Sequence, residues 1–185
     1  MLGIDWHSLW PSLDYQARYC EENVWRLLAR SELAGRRAWA VIVSSLSGQI
    51  VTLRQKAGRP GDGLVGWDYH VFAMVDDADG TRLALDLDSD LPFPCPLARY
   101  LFESFPPMRH PRSRPIFRVI AAADYLAGLA SDRSHMRKPD GTYLAPPPPW
   151  PAPGAGKSNT IWAWIDVSCD SAGVRYDLEQ IAQAP

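Results

Sequence analysis

The sequence predicts an α/β fold of the α+β kind, with a central, mostly antiparallel sheet flanked by helices. Two patterns carry that prediction. Short apolar runs bounded by turn formers read as hairpins: residues 71–75 with 83–85 across the turn at 76–80, and 39–44 with 50–53 across the turn at 46–49. Between and after them, apolar residues return at helical spacing: Cys20, Val24, Leu27, Leu28 and Leu33, then residues 97–105 and 122–129.

A chain of 185 residues suits one domain, which we place at residues 15–185, preceded by an arm at 1–14. Apolar residues at 46% and eight tryptophans exclude wholesale disorder. A net charge of -2 gives no reason to expect nucleic acid or an anionic membrane as partner. The N-terminus lacks a basic start followed by an apolar core, and no apolar run approaches about 18 residues, so we expect a cytoplasmic protein. Cys20, Cys95 and Cys169 are odd in number and widely spaced, which argues against a disulfide framework and offers no CxxC metal knuckle. One of them is free to be a working thiol, and we expect no cofactor and no metal.

Taken in order, residues 1–14 combine Trp6, His7, Trp10 and Pro11 without sustained periodicity. The helix that follows runs from Cys20 to about Ala34, with Gly35 available to end it. Cys20 thereby falls in a first turn, where the helix dipole favours a thiolate. After the 39–53 hairpin, Pro60 and the surrounding glycines force a loop that delivers the chain to His70. Pro92, Pro94 and Pro96 end the next strand, and Cys95 between two of them reads as a packing residue. Pro106 and Pro107 stop the helix at 97–105. The arginines at 109, 112, 114 and 118 read as a solvated basic loop rather than a phosphate site. A strand at 117–121 leads into the helix at 122–129. His135 lies in a polar island, where a self-satisfied loop competes with a second catalytic histidine. The proline run at 146–149 is polyproline II, a stiff strap or a docking ligand. Gly156-Lys157-Ser158 fails as a phosphate loop because Pro151 occupies the first glycine position. Large apolar residues alternate over 161–168, and residues 176–182 read as a closing helix.

Chemistry enters at the hairpin that carries His70. With the turn centred on Ala78, His70 stands directly opposite Asp86, where Cβ atoms lie roughly 4.5 to 5.5 Å apart. A shift of half a residue would instead set it against Leu85 or Leu87. A histidine oriented by an aspartate is two thirds of a nucleophilic triad, and Cys20 at its helix start supplies the third member. The order Cys, His, Asp is that of papain-like and transglutaminase-like hydrolases, although three residues of common types also meet by chance.

Longer strings narrow the reading. Tyr19-Cys20-Glu21-Glu22-Asn23-Val24-Trp25, Gly58-Arg59-Pro60-Gly61-Asp62-Gly63, Trp67-Asp68-Tyr69-His70-Val71, Leu91-Pro92-Phe93-Pro94-Cys95 and Ser131-Asp132-Arg133-Ser134-His135-Met136 strongly resemble the protein N-terminal glutamine amidohydrolase family in content, order and spacing. The resemblance implies a papain-like or transglutaminase-like fold and conversion of an N-terminal Gln to Glu with release of ammonia. It places the catalytic residues on Cys20, His70 and Asp86, acting through a thioester. The departures are a shorter N-terminus, Gly58 and a divergent tail after Pro153.

Such an enzyme has to recognise an α-ammonium group. Glu22, with Asp68 as alternate, is the candidate receptor, and Trp67 and Tyr69 are further candidate substrate contacts. Carboxylates at Glu21 and Glu22 suit a helix N-terminus but oppose a neighbouring thiolate. The expected partner is an N-terminal Gln peptide or protein met by a monomer. Two alternatives remain: a related cysteine hydrolase or transglutaminase-like enzyme acting on another amide, and a non-enzymatic domain that docks through its proline strap.

Overall fold

The computed structural model describes residues 3–184. Its central element is β1 (Ala38–Ser44), all seven residues of which are buried. A strand buried on both faces needs apolar residues at every position rather than alternate ones, and Trp-Ala-Val-Ile-Val meets that demand. Helix α1 (Trp6–Leu9), helix α2 (Cys20–Leu28) and a 3-10 turn at Ser31–Leu33 precede it. The remaining strands are β2 (Ile50–Thr52), β3 (Val65–Trp67), β4 (His70–Asp76), β5 (Arg82–Leu85), β6 (Cys95–Pro96), β7 (Ile116–Ala121) and β8 (Val174–Tyr176). Helices α3 (Leu97–Ser104), α4 (Ala122–Gly128) and α5 (Ile161–Ile165) complete the set.

Six strands form one antiparallel sheet in the order β6-β5-β4-β1-β7-β8. On one face, Ala40, Ile42, Val71, Ala73 and Leu85 pack against Val24 and Leu27 of α2, Tyr125 of α4 and Trp164 of α5. On the other, Val41, Val43, Phe72 and Met74 pack against Leu97, Tyr100 and Leu101 of α3. The architecture is therefore a mixed α/β sandwich with its sheet in the middle.

Several expectations change. The helix beginning at Cys20 stops at Leu28, because Arg30 is extended, and the chain continues to Leu33 as a 3-10 turn. β2 does not pair with β1, whose two edges are taken by β4 and β7; it pairs with β3 in a separate two-stranded sheet. Residues 176–182 are not a helix: β8 ends at Tyr176, and only Ile181–Gln183 coils, as a 3-10 turn. The apolar stretch from 161 is the short helix α5. Residues of the expected arm carry α1, whose Trp6 and Leu9 join the core on the α2 side.

The register of the β4-β5 hairpin also differs. Ala73 faces Leu85 and Met74 faces Ala84, which centres the turn on Asp79 instead of Ala78. The turn itself dictates this. Asp77 N–H donates to Thr81 O at 2.9 Å, and Gly80 takes the left-handed conformation (φ 85°) that glycine tolerates best. A whole-residue shift of the centre keeps even-numbered residues on one face. His70 and Asp86 thus share a face without standing directly opposite each other.

Candidate active site

β4 carries His70 beside Val43 of β1, and the chain leaves β5 one residue before Asp86. Both side chains are buried, and His70 Nε2 lies 3.0 Å from Asp86 Oδ2. The same oxygen accepts from Gln55 Nε2 at 2.8 Å and from the Tyr100 hydroxyl at 2.8 Å, while Oδ1 accepts from Asp88 N–H at 2.9 Å. Burial works against the charge on Asp86, but His70, Gln55 and Tyr100 outweigh it and hold the carboxyl below its usual range. For His70, burial favours the neutral ring, yet the charge and hydrogen bond of Asp86 outweigh it and raise the imidazole above its ordinary 6.5. With Nε2 committed to Asp86, Nδ1 is the ring nitrogen left for another partner.

Cys20 is the first residue of α2. Its approach is fixed by Asn23, whose side chain accepts from Gln16 N–H and donates to Gln16 O, both at 2.8 Å. Cys20 and His70 line one cavity of about 250 Å³, together with Arg18, Trp67, Asp68, Tyr69, Asp88 and His135. That volume suits a single amino-acid residue better than a larger ligand. A wider cleft of about 530 Å³ lies between Ile4, Ser8, Glu32 and Arg36, and none of its lining residues is a cysteine or histidine.

The thiol departs from the expected low pKa. Burial, followed by the charges of Glu21 and Asp88, pushes Cys20 well above the ordinary range, against the opposing effect of the Val71 N–H. Desolvating an anion beside two carboxylates overcomes what a helix start offers, so the resting group is a neutral thiol.

The structure distributes the other sequence-predicted residues unevenly. Trp67, Asp68 and Tyr69 line the cavity. Trp67 stacks on the His70 ring with centroids 6.1 Å apart and donates to Thr52 Oγ1 at 3.1 Å, and Asp68 is exposed. Glu22 is not among the lining residues. Its two oxygens accept from Arg133 Nε and Nη2, each at 2.7 Å, and from Trp150 Nε1 at 3.0 Å. Arg133 also donates to Pro148 O and Trp150 O, and Tyr19 donates to Ala145 O. The polyproline run is therefore a strap tied to α2. Cys95 is buried against the α3 face, away from the cavity lining.

Gln55, Tyr100 and Asp88, which carry no role in the sequence reading, also contribute to the site, and His135, which the sequence left between two readings, lines the cavity. Gln55 opens the loop after β2, and Tyr100 lies on the buried stripe of α3 with Leu97 and Leu101. Asp88, which accepts from Tyr15 OH at 2.7 Å, sits two residues past Asp86. His135 reaches the cavity wall, with Nε2 3.3 Å from the Tyr69 hydroxyl and 3.3 Å from Glu21 Oε1. Among the described residues, no group of three or more His, Cys, Asp or Glu is placed to hold a metal ion. Among them, no helix is long and apolar enough to cross a membrane.

The strap makes a stability prediction. Lysine at position 133 cannot reproduce a bidentate fork, so R133K leaves Glu22 incompletely paired in a fully buried setting. We expect a loss of about 3 kcal/mol and a melting temperature lower by roughly 10 °C. Differential scanning calorimetry checks this, and an unchanged melting temperature contradicts it.

Comparison with known proteins adds a family. The family model for N-terminal glutamine amidase matches residues 15–184. A curated relative from Drosophila grimshawi, named protein N-terminal glutamine amidohydrolase, is 43% identical over 166 residues, 86% of this chain and 80% of that protein. A relative of the same name from Drosophila virilis is 41% identical over 181 residues, covering 91% and 86%.

Proposed function

Because the chain belongs to the N-terminal glutamine amidase family, we propose that it hydrolyses the side-chain amide of an N-terminal glutamine, giving glutamate and ammonia through Cys20, His70 and Asp86. The observation that carries this reading is the meeting of Cys20, at the start of α2, with the His70–Asp86 pair on one small cavity. A nucleophile at a helix start packed on an antiparallel sheet that bears its histidine is also the arrangement of papain-like and transglutaminase-like hydrolases.

The chemistry follows from the protonation states. A carboxamide is a poor electrophile, and a neutral thiol is a poor nucleophile, so the proton must move as the bond forms. His70 takes it through Nδ1 while Sγ attacks the amide carbon. Backbone N–H groups opening α2 face the oxyanion, worth about 3 kcal/mol per donor in comparable sites. Imidazolium, steadied by the ionised Asp86, then protonates the leaving nitrogen. Ammonia departs and a γ-glutamyl thioester remains on Cys20. Neutral His70 next activates a water, whose attack releases glutamate and restores the thiol. Asp86 stays ionised throughout because three donors hold its Oδ2.

Mass spectrometry of peptides beginning with Gln, Asn or acetyl-Gln tests the reading. We expect a mass gain of about one dalton, with an ammonia released, for the Gln peptide alone. Chain cleavage, amine incorporation or equal conversion of all three contradicts it.

A further inference from the structure

Glu21 is a charged neighbour in direct contact with the nucleophile that the mechanism leaves unused. It is 1% exposed, and its Oε2 lies 3.7 Å from Cys20 Sγ. Its Oε1 has no hydrogen-bond partner, although His135 Nε2 approaches to 3.3 Å without the geometry of one. A buried carboxylate oxygen without a donor is costly. The Cys20 thiol, the His135 ring and the Tyr69 hydroxyl, which meet this carboxylate, all belong to cavity-lining residues. The unfilled acceptor thus lies beside the place where the amide carbon must sit.

The substrate brings a matching donor at a matching distance. In glutamine the α-nitrogen is four bonds from the amide carbon, a span of at most about 5 Å. With that carbon bound to Sγ, the α-ammonium lies within reach of Glu21. The other cavity carboxylates are less suited. Asp68 is exposed, and Asp88 is engaged by the Tyr15 hydroxyl.

The position matters for more than recognition. Once ammonia has left, the thioester carbon is an activated acyl group with the substrate's own amine a few atoms away. A neutral amine would attack it: the N–C bond forms, the C–S bond breaks, the amine proton passes to the departing sulfur, and a five-membered lactam results. Hydrolysis wins only if the nitrogen lacks a free lone pair while water attacks.

We infer that Glu21 receives the α-ammonium of the N-terminal glutamine and, by keeping that nitrogen protonated, commits the Cys20 thioester to hydrolysis rather than cyclisation to N-terminal pyroglutamate. The inference rests on the function proposed above. An opposite charge in a buried site favours the protonated amine. The arriving ammonium also offsets the carboxylate beside Cys20, which eases ionisation of the thiol when substrate is present.

The test reads the product ratio by chromatography and mass spectrometry, with Gln-initiated peptide at saturation and spontaneous cyclisation subtracted using C20A. Wild type is expected to yield glutamate almost exclusively, whereas E21Q raises the pyroglutamate fraction at least tenfold and narrows the preference for Gln over acetyl-Gln peptide at least tenfold. E21Q that forms only glutamate with its preference intact overturns the inference, as does a D88N variant that shows both changes in its place. If E21Q fails to fold or yields no product, wild type decides between about pH 6.5 and about 9.5, across the α-amino pKa. The titratable groups that face Glu21 are Tyr19 and Cys20 at the start of α2, Tyr69 and His70 at the start of β4, Tyr125 on α4, and His135 beyond it. A pyroglutamate fraction that climbs with pH supports the inference, and a flat one overturns it. Failure of wild type to make glutamate at all would instead remove the function on which it rests.

Discussion

Replacing Cys20 with alanine is expected to reduce ammonia release from Gln-initiated peptides by on the order of 10⁴-fold or more, to the uncatalysed background. Every step proposed for the site passes through Sγ, so nothing else in the cavity substitutes for it. The fold should survive. The thiol is neutral at rest and, among the described residues, its polar partners are only the Val71 N–H and, at a weak 3.7 Å, Glu21, so the melting temperature should shift by no more than a few degrees. The other two cysteines provide the contrast: Cys95 packs in the core cluster on the α3 side, and Cys169 is half-buried outside the cavity lining. C95A and C169A are expected to keep their activity. An ammonia assay on all three variants, beside thermal melts, checks the prediction.

Asp86 is expected to give the second-largest effect. Asparagine is nearly isosteric, but all four groups that meet the Asp86 oxygens are donors or, in the case of His70, act as one. An amide NH₂ placed among them leaves at least one buried donor facing another. We expect D86N to lose about 3 to 5 kcal/mol of stability and on the order of 10³- to 10⁴-fold in kcat. The pH profile separates these causes. In wild type, Asp86 raises His70 above 6.5, and the base must be neutral, so kcat/KM should rise with pH through a value above 6.5. Without Asp86, burial is left to favour the neutral ring, and the acid limb should move to lower pH even as the maximum falls. A D86N enzyme with reduced activity and an unmoved acid limb would show that Asp86 does not act through His70.

What the sequence disclosed depended on how local the deciding physics was. β1, β4, β7, α3 and α4 were legible because their apolar periodicity is intrinsic to a few consecutive residues. The partner of β2 was not, since three residues pair with whichever edge remains open, and β1 had none. The hairpin register turned on whether Gly80 takes the left-handed position, a choice that Asp76-Asp77-Ala78-Asp79-Gly80 leaves ambiguous as a string. For the site, Cys20, His70 and Asp86 stood out by residue type, whereas Gln55 and Tyr100 are common residues whose role exists only through contact with Asp86. The two glutamates after Cys20 are instructive. Glu21 stands three and seven residues before Val24 and Leu28, along the apolar stripe of α2, and Glu22, though equally buried, lies off that stripe. That phase separates the carboxylate beside the thiol from the one that Arg133 claims, a partner 111 residues away that no local pattern announces.

The central claim is that Cys20 carries the substrate's acyl group as a thioester. Wild-type protein mixed with excess Gln-initiated peptide, quenched in acid within milliseconds and weighed intact, tests it most directly. The expected result is an adduct equal to the peptide less one ammonia, localised to Cys20 by digestion, absent from C20A and decaying as glutamate appears. Glutamate forming at full rate with no adduct on Cys20 at any time, or an equal adduct on C20A, would contradict the account.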